Sequence, residues 1–223
     1  HDLHDGSVIA IAGFFVAGVP RGLIRALIAR GTKNLTLACG CGPLLGIAEE
    51  LDALVANRQI KKVIDSYPFY RSASKGKSSL FEQAVRGGEI ELDVYPMGTL
   101  AEKYRAAAAG LPAFYTPAGV GTVASSGKEV RVFDDVEALL ETALRPDFAF
   151  VHAYIGDIEG NLIYRKTAMN FNPVMAAAAR VTIAEVENLV EPGKLQPDHI
   201  ATPGIYVQRL VQVDRPAVKI AIG

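Results

Sequence analysis

Short apolar runs alternate with stretches of helical spacing along this chain, and this alternation restricts the fold more than any other feature. The run from Ser7 to Ala12 is almost wholly apolar and has the length of a buried strand. The next stretch, Arg21 to Arg30, carries apolar residues at 23, 24, 27 and 28, which is the spacing of one helix face. Strands that are apolar on both faces and separated by helices are typical of a parallel sheet covered on both sides. The sequence therefore predicts the α/β class, with an open, mainly parallel sheet covered by helices.

The same alternation continues to residue 186. It predicts strands at 34–38, 60–64, 90–95, 130–133, 148–153, 161–164 and 181–186, and helices at 47–57, 79–86, 100–109 and 173–179. Loops are expected at 67–79 and 112–127, and the proline-containing segment beyond 191 predicts an extended tail over the domain or against a partner. Open α/β sheets place ligand loops at strand ends, so both loops are candidates for ligand contact.

Composition and charge exclude several kinds of protein. The chain has 223 residues, half of them hydrophobic, and we predict a single domain spanning residues 1–223. A formal net charge of −1 argues against nucleic acid as a partner, because phosphate binding leaves a basic footprint. No apolar run approaches the roughly 20 residues of a membrane span, and no secretory signal pattern is present. We therefore expect neither a nucleic-acid nor a membrane partner.

The cysteines and histidines give no sign of a disulfide or a metal site. Cys39 and Cys41 stand one residue apart, which is a poor separation for a disulfide. The histidines are scattered along the chain, so no metal-ligand cluster is predicted. Reduced thiols in a cytoplasmic protein are the simplest interpretation.

A glycine turn joins the first predicted strand to the first predicted helix. Gly13 and Gly18 permit positive φ or a close backbone approach, and Pro20 suits a first helical turn. Backbone amides at such a turn are able to bind a phosphate or an oxyanion. The glycine spacing is not that of a dinucleotide site. A substrate-contacting turn and a purely structural connection both remain open.

Several other polar residues invite a functional interpretation. Glu187 lies in an alternating, strand-like stretch, and His152 lies inside an apolar strand, so structural roles are favoured for both. Asn170 and Asn172 are expected to cap the helix that begins at Pro173 and to hold the loop before it. The loop residues Arg71, Lys75 and Lys77 suit either contact with the phosphates of a ligand or a solvated surface.

Several stretches of the sequence resemble the alpha subunit of family I coenzyme A transferases of the 3-oxoacid and 3-oxoadipate type. The most specific covers residues 147–173, and the second runs from Pro112 through Gly119, Gly121 and Thr122 to Glu129. Weaker matches lie around Gly13-Phe14, at residues 37–42 and at residues 96–102. Together with further matches up to Gly204, the resemblance covers nearly the whole chain.

This resemblance implies ping-pong transfer of CoA in an assembly of two alpha and two beta subunits. The nucleophilic glutamate of the family is found on the beta subunit, so no catalytic residue is expected in this chain. Coenzyme A is then a substrate, and no cofactor or metal is implied. The resemblance places the substrate and oxyanion pocket at Gly13, Phe14, Cys39, Gly40, Met97, Gly98, Gly119, Gly121 and Thr122.

The chain departs from the family pattern at several of these positions. Met97 stands where the family usually has glutamine, Cys39 and Gly40 stand where it often has two asparagines, and Phe15 stands where a glycine is usual. Methionine is soft and donates no hydrogen bond. These departures leave three alternatives to the usual activity open. The first is transfer to a different acid, the second is a CoA-thioester or ring-opening hydrolase on the same scaffold, and the third is a non-catalytic partner that stabilises a beta subunit.

Overall fold

The computed structural model describes residues 2–69 and 78–214. Its strands are β1 (Val8–Ile11), β2 (Leu35–Ala38), β3 (Ile60–Asp65), β4 (Glu91–Val94), β5 (Ala113–Thr116), β6 (Val130–Phe133), β7 (Val136–Thr142), β8 (Phe148–Asp157), β9 (Leu162–Ile163), β10 (Val181–Val190) and β11 (Arg209–Gln212). Its helices are α1 (Arg21–Arg30), α2 (Ala48–Ala56), α3 (Leu80–Arg86), α4 (Met97–Ala108) and α5 (Asn172–Ala178).

The large sheet confirms the predicted fold class. Its strand order is β11-β10-β8-β1-β2-β3-β4, and every pair along this path is parallel, while β9 pairs with β8 in the antiparallel direction. The chain builds this sheet outward from β1, first through β2, β3 and β4 and later through β8, β10 and β11. The boundary between β1 and β8 is therefore a topological switch point, where open α/β sheets place their ligands.

The central strands carry large side chains on one face and small ones on the other. Ile9 and Ile11 of β1 belong to the core under α1, α2 and α3, whereas Ala10 and Ala12 belong to the core under α4 and α5. The strand β8 repeats the pattern with phenylalanine on the first face and mainly alanine on the second. Both faces are apolar, which explains why helices cover both of them. The alanine side chains on the second face let a helix pack closely against the sheet.

A second sheet of order β5-β7-β6, entirely antiparallel, is a feature that the sequence does not predict. The expected loop at 112–127 is wrong at its start, because β5 occupies Ala113–Thr116. β7 lacks a continuous apolar run and includes Glu141, which is buried against α4. The Glu141 carboxylate lies 3.1 Å from the Lys103 ammonium on α4, and this ion pair fixes the small sheet to the helix.

Element ends also differ from the sequence predictions. α4 begins at Met97 rather than at 100, and β10 extends to Val190 rather than ending at 186. Part of the expected extended tail forms β11 and adds an edge strand beside β10. Across 2–69 and 78–214, no helix combines the length and apolar character needed to cross a bilayer.

Candidate functional site

A cavity of about 520 Å³ lies beyond the carboxyl ends of β1 and β2, next to the topological switch point. It is lined by Phe14, Cys41, Met97, Ala101, Thr167, Asn170, Phe171 and Val174. Phe14 follows β1, Cys41 follows β2, and Met97 is the first residue of α4. The fold thus brings residues far apart in sequence to the place where sheets of this kind bind ligands.

The turn after β1 is held in one conformation by its glycines. Gly13 has a φ of 127°, and a Cβ added there would lie 2.5 Å from Val19 Cγ2. Two backbone hydrogen bonds of 2.9 Å, from Phe14 N to Ala17 O and from Ala17 N to Phe14 O, close the turn. A residue other than glycine at 13 would therefore displace the backbone that presents Phe14 to the cavity.

Two asparagines tie this turn to the loop before α5. Asn170 Nδ2 donates to the carbonyl of Ala17 at 3.2 Å, and Asn172 Nδ2 donates to the carbonyl of Gly18 at 3.0 Å. The expected helix cap is wrong, because neither side chain caps α5. Asn172 instead accepts the backbone amide of His152 at 2.8 Å. The expectation that these residues hold the loop is confirmed.

The segment after β2 forms the floor of the cavity. Gly40 lies under the ring of Phe171, since an added Cβ would come within 2.5 Å of Phe171 Cδ2. The Tyr104 hydroxyl donates to the Cys39 carbonyl at 3.0 Å and holds this segment from below. Asp65 accepts the Gly42 amide at 3.4 Å.

Neither cysteine has the properties of a nucleophile. Cys39 is fully buried, and burial, followed by the nearby charge of Asp65, raises its thiol pKa well above the ordinary value. The same two causes raise the pKa of Cys41, which lines the cavity and is 5% exposed. A thiol attacks as its thiolate, so both remain unreactive near neutral pH.

The first turn of α4 brings a polar helix end to a largely apolar cavity. Met97 is 46% exposed and lines the cavity together with Ala101. The first amides of an α-helix have no acceptor within the helix, and they carry partial positive charge. Gly98 lies beside Met97, and a Cβ added there would meet nothing within 4 Å. A carbonyl oxygen that carries developing negative charge is favoured at such a helix end.

The predicted site residues are not all brought together. Phe14 and Met97 line the cavity, and Gly13, Cys39, Gly40 and Gly98 lie next to lining residues in the chain. The turn after β5, which includes Gly119, Gly121 and Thr122, does not line the cavity, although a Cβ added to Gly119 would lie 3.8 Å from Pro96, the residue before Met97. Within this turn, the Thr122 hydroxyl donates to the Gly119 carbonyl at 2.7 Å and accepts the Ala124 amide at 3.1 Å. Arg71, Lys75 and Lys77 fall outside the described residues.

Other lining residues went unrecognised in the sequence. Ala101 follows Met97 by four residues, so the helical period alone places both side chains on one face. Thr167, Phe171 and Val174 come from the far end of the chain, and Cys41 pairs with Phe14 in an isolated parallel bridge. No local pattern reports these long-range contacts.

The comparison with known families decides the identity of the fold and its general chemistry. Residues 1–213 match the family model described as Coenzyme A transferase. The chain belongs to this family. It is thus an enzyme chain of the CoA-transferase type, and the cavity lies at the strand ends, where open α/β sheets place their ligands.

Two curated relatives of this CoA-transferase cover it almost completely. The alpha (A) subunit of succinyl-CoA:3-ketoacid coenzyme A transferase from Xanthomonas campestris pv. campestris is 45% identical over 97% of this chain and 86% of the relative. The alpha (A) subunit of 3-oxoadipate CoA-transferase from Pseudomonas putida is 45% identical over 96% of this chain and 89% of the relative. Both are named as one subunit of a two-subunit enzyme, which implies a partner of the beta type.

Solved structures show the same architecture. The glutaconate coenzyme A-transferase of Acidaminococcus fermentans superposes with a TM-score of 0.81 at 19% identity, over 95% of this chain and 72% of that one. A variant of the decarboxylase AibA/AibB superposes with a TM-score of 0.78 at 25% identity, over 96% of this chain and 79% of that one. The scaffold of this CoA-transferase is therefore also found in a protein named for a different reaction.

Proposed function

We propose that this CoA-transferase chain is the alpha subunit of a heteromeric enzyme that moves CoA from an acyl-CoA to a carboxylic acid. One observation carries the proposal: the described residues that line the cavity include no carboxylate, imidazole or amine. The cavity therefore has walls for an acyl group but no carboxylate among its described lining residues to act as the nucleophile. A glutamate from the beta subunit, as the family resemblance implies, completes the site in an assembly of two alpha and two beta subunits.

The proposed chemistry splits one exchange into easier steps. The glutamate of the beta subunit attacks the thioester carbonyl, the C–S bond breaks, and CoA leaves as a thiolate. That thiolate attacks the glutamyl carbonyl of the resulting anhydride, which releases the first acid and leaves a glutamyl-CoA thioester. The second acid then enters and repeats the two steps in reverse, which returns the glutamate.

This chain contributes surroundings rather than a reacting group. The apolar walls exclude water from the anhydride, which water would otherwise hydrolyse. The first amides of α4, next to Met97 and Gly98, supply hydrogen-bond donors for the oxygen of each tetrahedral intermediate. The turn at Gly13 and Phe14 forms the opposite wall.

Succinyl-CoA and a 3-oxoacid are the first pair to test, since the relatives are named for them. A donor with a less polar acyl group is a second candidate. Thr167 and Asn170 are the polar residues of the described lining, and no lysine or arginine is among them. The distal carboxylate of a succinyl group finds no cation among these described lining residues, whereas an apolar acyl group fits walls of Phe14, Met97 and Phe171.

Trapping the covalent intermediate tests the function directly. The chain is co-purified with a cognate beta subunit, incubated with an acyl-CoA, treated with borohydride and weighed by intact-mass spectrometry. A glutamyl-CoA thioester is reduced to an alcohol, so the beta subunit loses the mass of one carboxyl-to-alcohol conversion only when acyl-CoA is present. Release of free CoA without that loss would support a hydrolase instead. A stable complex without turnover would support a non-catalytic partner.

A further inference from the structure

A second cavity of about 330 Å³ lies on the other side of the turn that presents Phe14. Its apolar lining comes from Phe15, Leu44, Leu45, Leu51, Phe69 and Phe81. Asp52, Ser79 and Glu82 supply its polar lining. The residues come from the turn after β1, from the 3-10 turn Pro43–Ile47 and α2 that follows it, from the segment after β3 and from the start of α3. This cavity shares no lining residue with the one beside α4.

Two neighbouring aromatic rings separate the cavities. Phe14 lines the first cavity and Phe15 lines the second. Their ring centroids are 5.1 Å apart with an interplanar angle of 83°, an edge-to-face contact that leaves no room for a chain to pass between them. This pair of side chains therefore forms part of the partition between the two cavities.

The backbone at Phe15 is strained, and its surroundings keep it in place. Phe15 has a φ of 49°, a left-handed conformation that costs energy for any residue with a bulky side chain. Its ring packs against Phe14 and against Tyr67, at a centroid distance of 6.2 Å from the latter. A Cβ added to Gly46 would lie 2.1 Å from the Phe15 carbonyl oxygen, so the backbone of the turn rests directly on Gly46. The ring is the removable part of this arrangement.

We propose that Phe15 is a specificity-determining residue that restricts the enzyme to short-chain acyl groups. The inference rests on the proposed function, because it assigns the acyl group to the cavity lined by Phe14 and Met97. A short acyl group ends at the Phe14–Phe15 pair. A longer apolar chain needs the volume behind it, which is already built and lined by leucine and phenylalanine but closed by the Phe15 ring.

Phe15→Gly removes the ring and relieves the backbone strain at this position, because glycine adopts a φ of 49° at no steric cost. The variant is assayed in complex with the beta subunit, using butyryl-, hexanoyl- and octanoyl-CoA as donors. The ratio of kcat/KM for octanoyl-CoA to that for butyryl-CoA is expected to rise at least tenfold over wild type, or about 1.4 kcal/mol. The rise is expected mainly in KM, because the added contact is with the chain and not with the reacting carbonyl.

Two further variants show whether the second cavity receives the chain. Phe15→Leu keeps a large apolar side chain in the partition and should retain most of the wild-type ratio. Ala48 also lines the second cavity and is exposed, so Phe15→Gly combined with Ala48→Phe refills that volume and should cancel the gain. A ratio that stays high in the double variant, or one that never rises in Phe15→Gly, would overturn the proposal.

A binding measurement separates this inference from the proposed function. Octanoyl-pantetheine is titrated into the wild-type and Phe15→Gly complexes by calorimetry, and at least tenfold tighter binding by the variant is expected. An inactive wild-type complex would refute the proposed function, yet the binding result would still decide the role of Phe15. An active wild type with unchanged specificity and unchanged binding in Phe15→Gly would refute the inference alone.

Discussion

The imidazole of His152 on β8 lies between two carboxylates of the neighbouring strand β10. Its Nδ1 is 2.8 Å from Glu185 Oε1, and its Nε2 is 3.4 Å from Glu187 Oε1. Glu185 also accepts the Leu23 amide at 2.9 Å, so one buried carboxylate joins β10, β8 and the first turn of α1. The sequence-based interpretation of His152 as a hydrogen-bonded core residue is confirmed, and Glu187 lies in β10 as expected.

This arrangement predicts a pH-dependent contribution to stability. Burial opposes the charged imidazole, but the hydrogen bonds and charges of Glu185 and Glu187 outweigh it, and the pKa of His152 is raised from 6.5. Protonation therefore stabilises the folded state, fully below about pH 6.5, and this contribution is lost as pH rises through the folded pKa. The difference in unfolding free energy between wild type and His152→Gln should shrink as pH rises above 6.5, measured by urea denaturation.

The exposed His199 supplies the control for this experiment, since it lies in a surface turn away from β8. His199→Gln should show the pH profile of the wild type. A wild-type advantage over His152→Gln that grows with pH would mean that the imidazole is buried in its neutral form.

The fold was predictable wherever a local pattern decides the structure. The large sheet follows from apolar runs and helical periods, as in Val8–Ile11 and Arg21–Arg30. The capping of α1 was not predictable. Pro20, the residue before the helix, supplies no side-chain cap, and the carboxylate that accepts the Leu23 amide in the first turn belongs to Glu185, 162 residues further along the chain. The small sheet was missed for a related reason: the burial of Glu141 depends on Lys103 of another element.

The candidate site shows the same division. Phe14 and Met97 were found through short motifs, and both line the cavity. Phe171 was not found as a lining residue, because its position depends on the space above Gly40, which only the folded chain creates. A motif shows which residues lie near the end of one strand, whereas a cavity is lined by residues from several elements of the fold.

Two glycines should respond to alanine in opposite directions. At Gly40 an added Cβ would lie 2.5 Å from the Phe171 ring, which itself packs edge-on against Tyr104. Gly40→Ala should therefore lower the unfolding free energy by about 1–3 kcal/mol through overpacking. At Gly98, in the first turn of α4, an added Cβ would meet no atom within 4 Å. Gly98→Ala should therefore raise the unfolding free energy by up to about 1 kcal/mol. Thermal or urea unfolding of the two variants checks this, and equal effects would contradict the packing at Gly40.

The buried ion pair between α4 and the small sheet should be essential for stability. Lys103 is 5% exposed and Glu141 is 3% exposed. Glu141→Gln leaves the Lys103 ammonium buried without a carboxylate and also removes the ion pair of 2.5 Å with Lys128, which together should cost roughly 3 kcal/mol or more of unfolding free energy. The exposed pair of Arg131 and Glu129 gives the matched control, since Glu129→Gln should change the urea midpoint little. A similar small shift for both variants would show that water reaches Lys103.

Met97 should set the preference of the cavity between polar and apolar acyl groups. Its side chain is 46% exposed at the start of α4, so Met97→Gln should fold normally. An amide there adds a hydrogen-bond donor to an otherwise apolar wall. The ratio of kcat/KM for succinyl-CoA to that for butyryl-CoA should therefore rise roughly fivefold, since one hydrogen bond contributes about 1 kcal/mol.

The control for Met97→Gln is the same change at an exposed apolar residue away from the cavity. Leu111 follows the opposite end of α4, roughly 18 Å from Met97 along a helix of this length, and is 53% exposed. Leu111→Gln should leave the donor ratio at its wild-type value. If Met97→Gln also leaves it unchanged while the enzyme is active, the acyl group does not contact the start of α4, and the cavity beside Phe14 is not the acyl site. If both variants raise the ratio, any added surface amide has the same effect and Met97 has no special position.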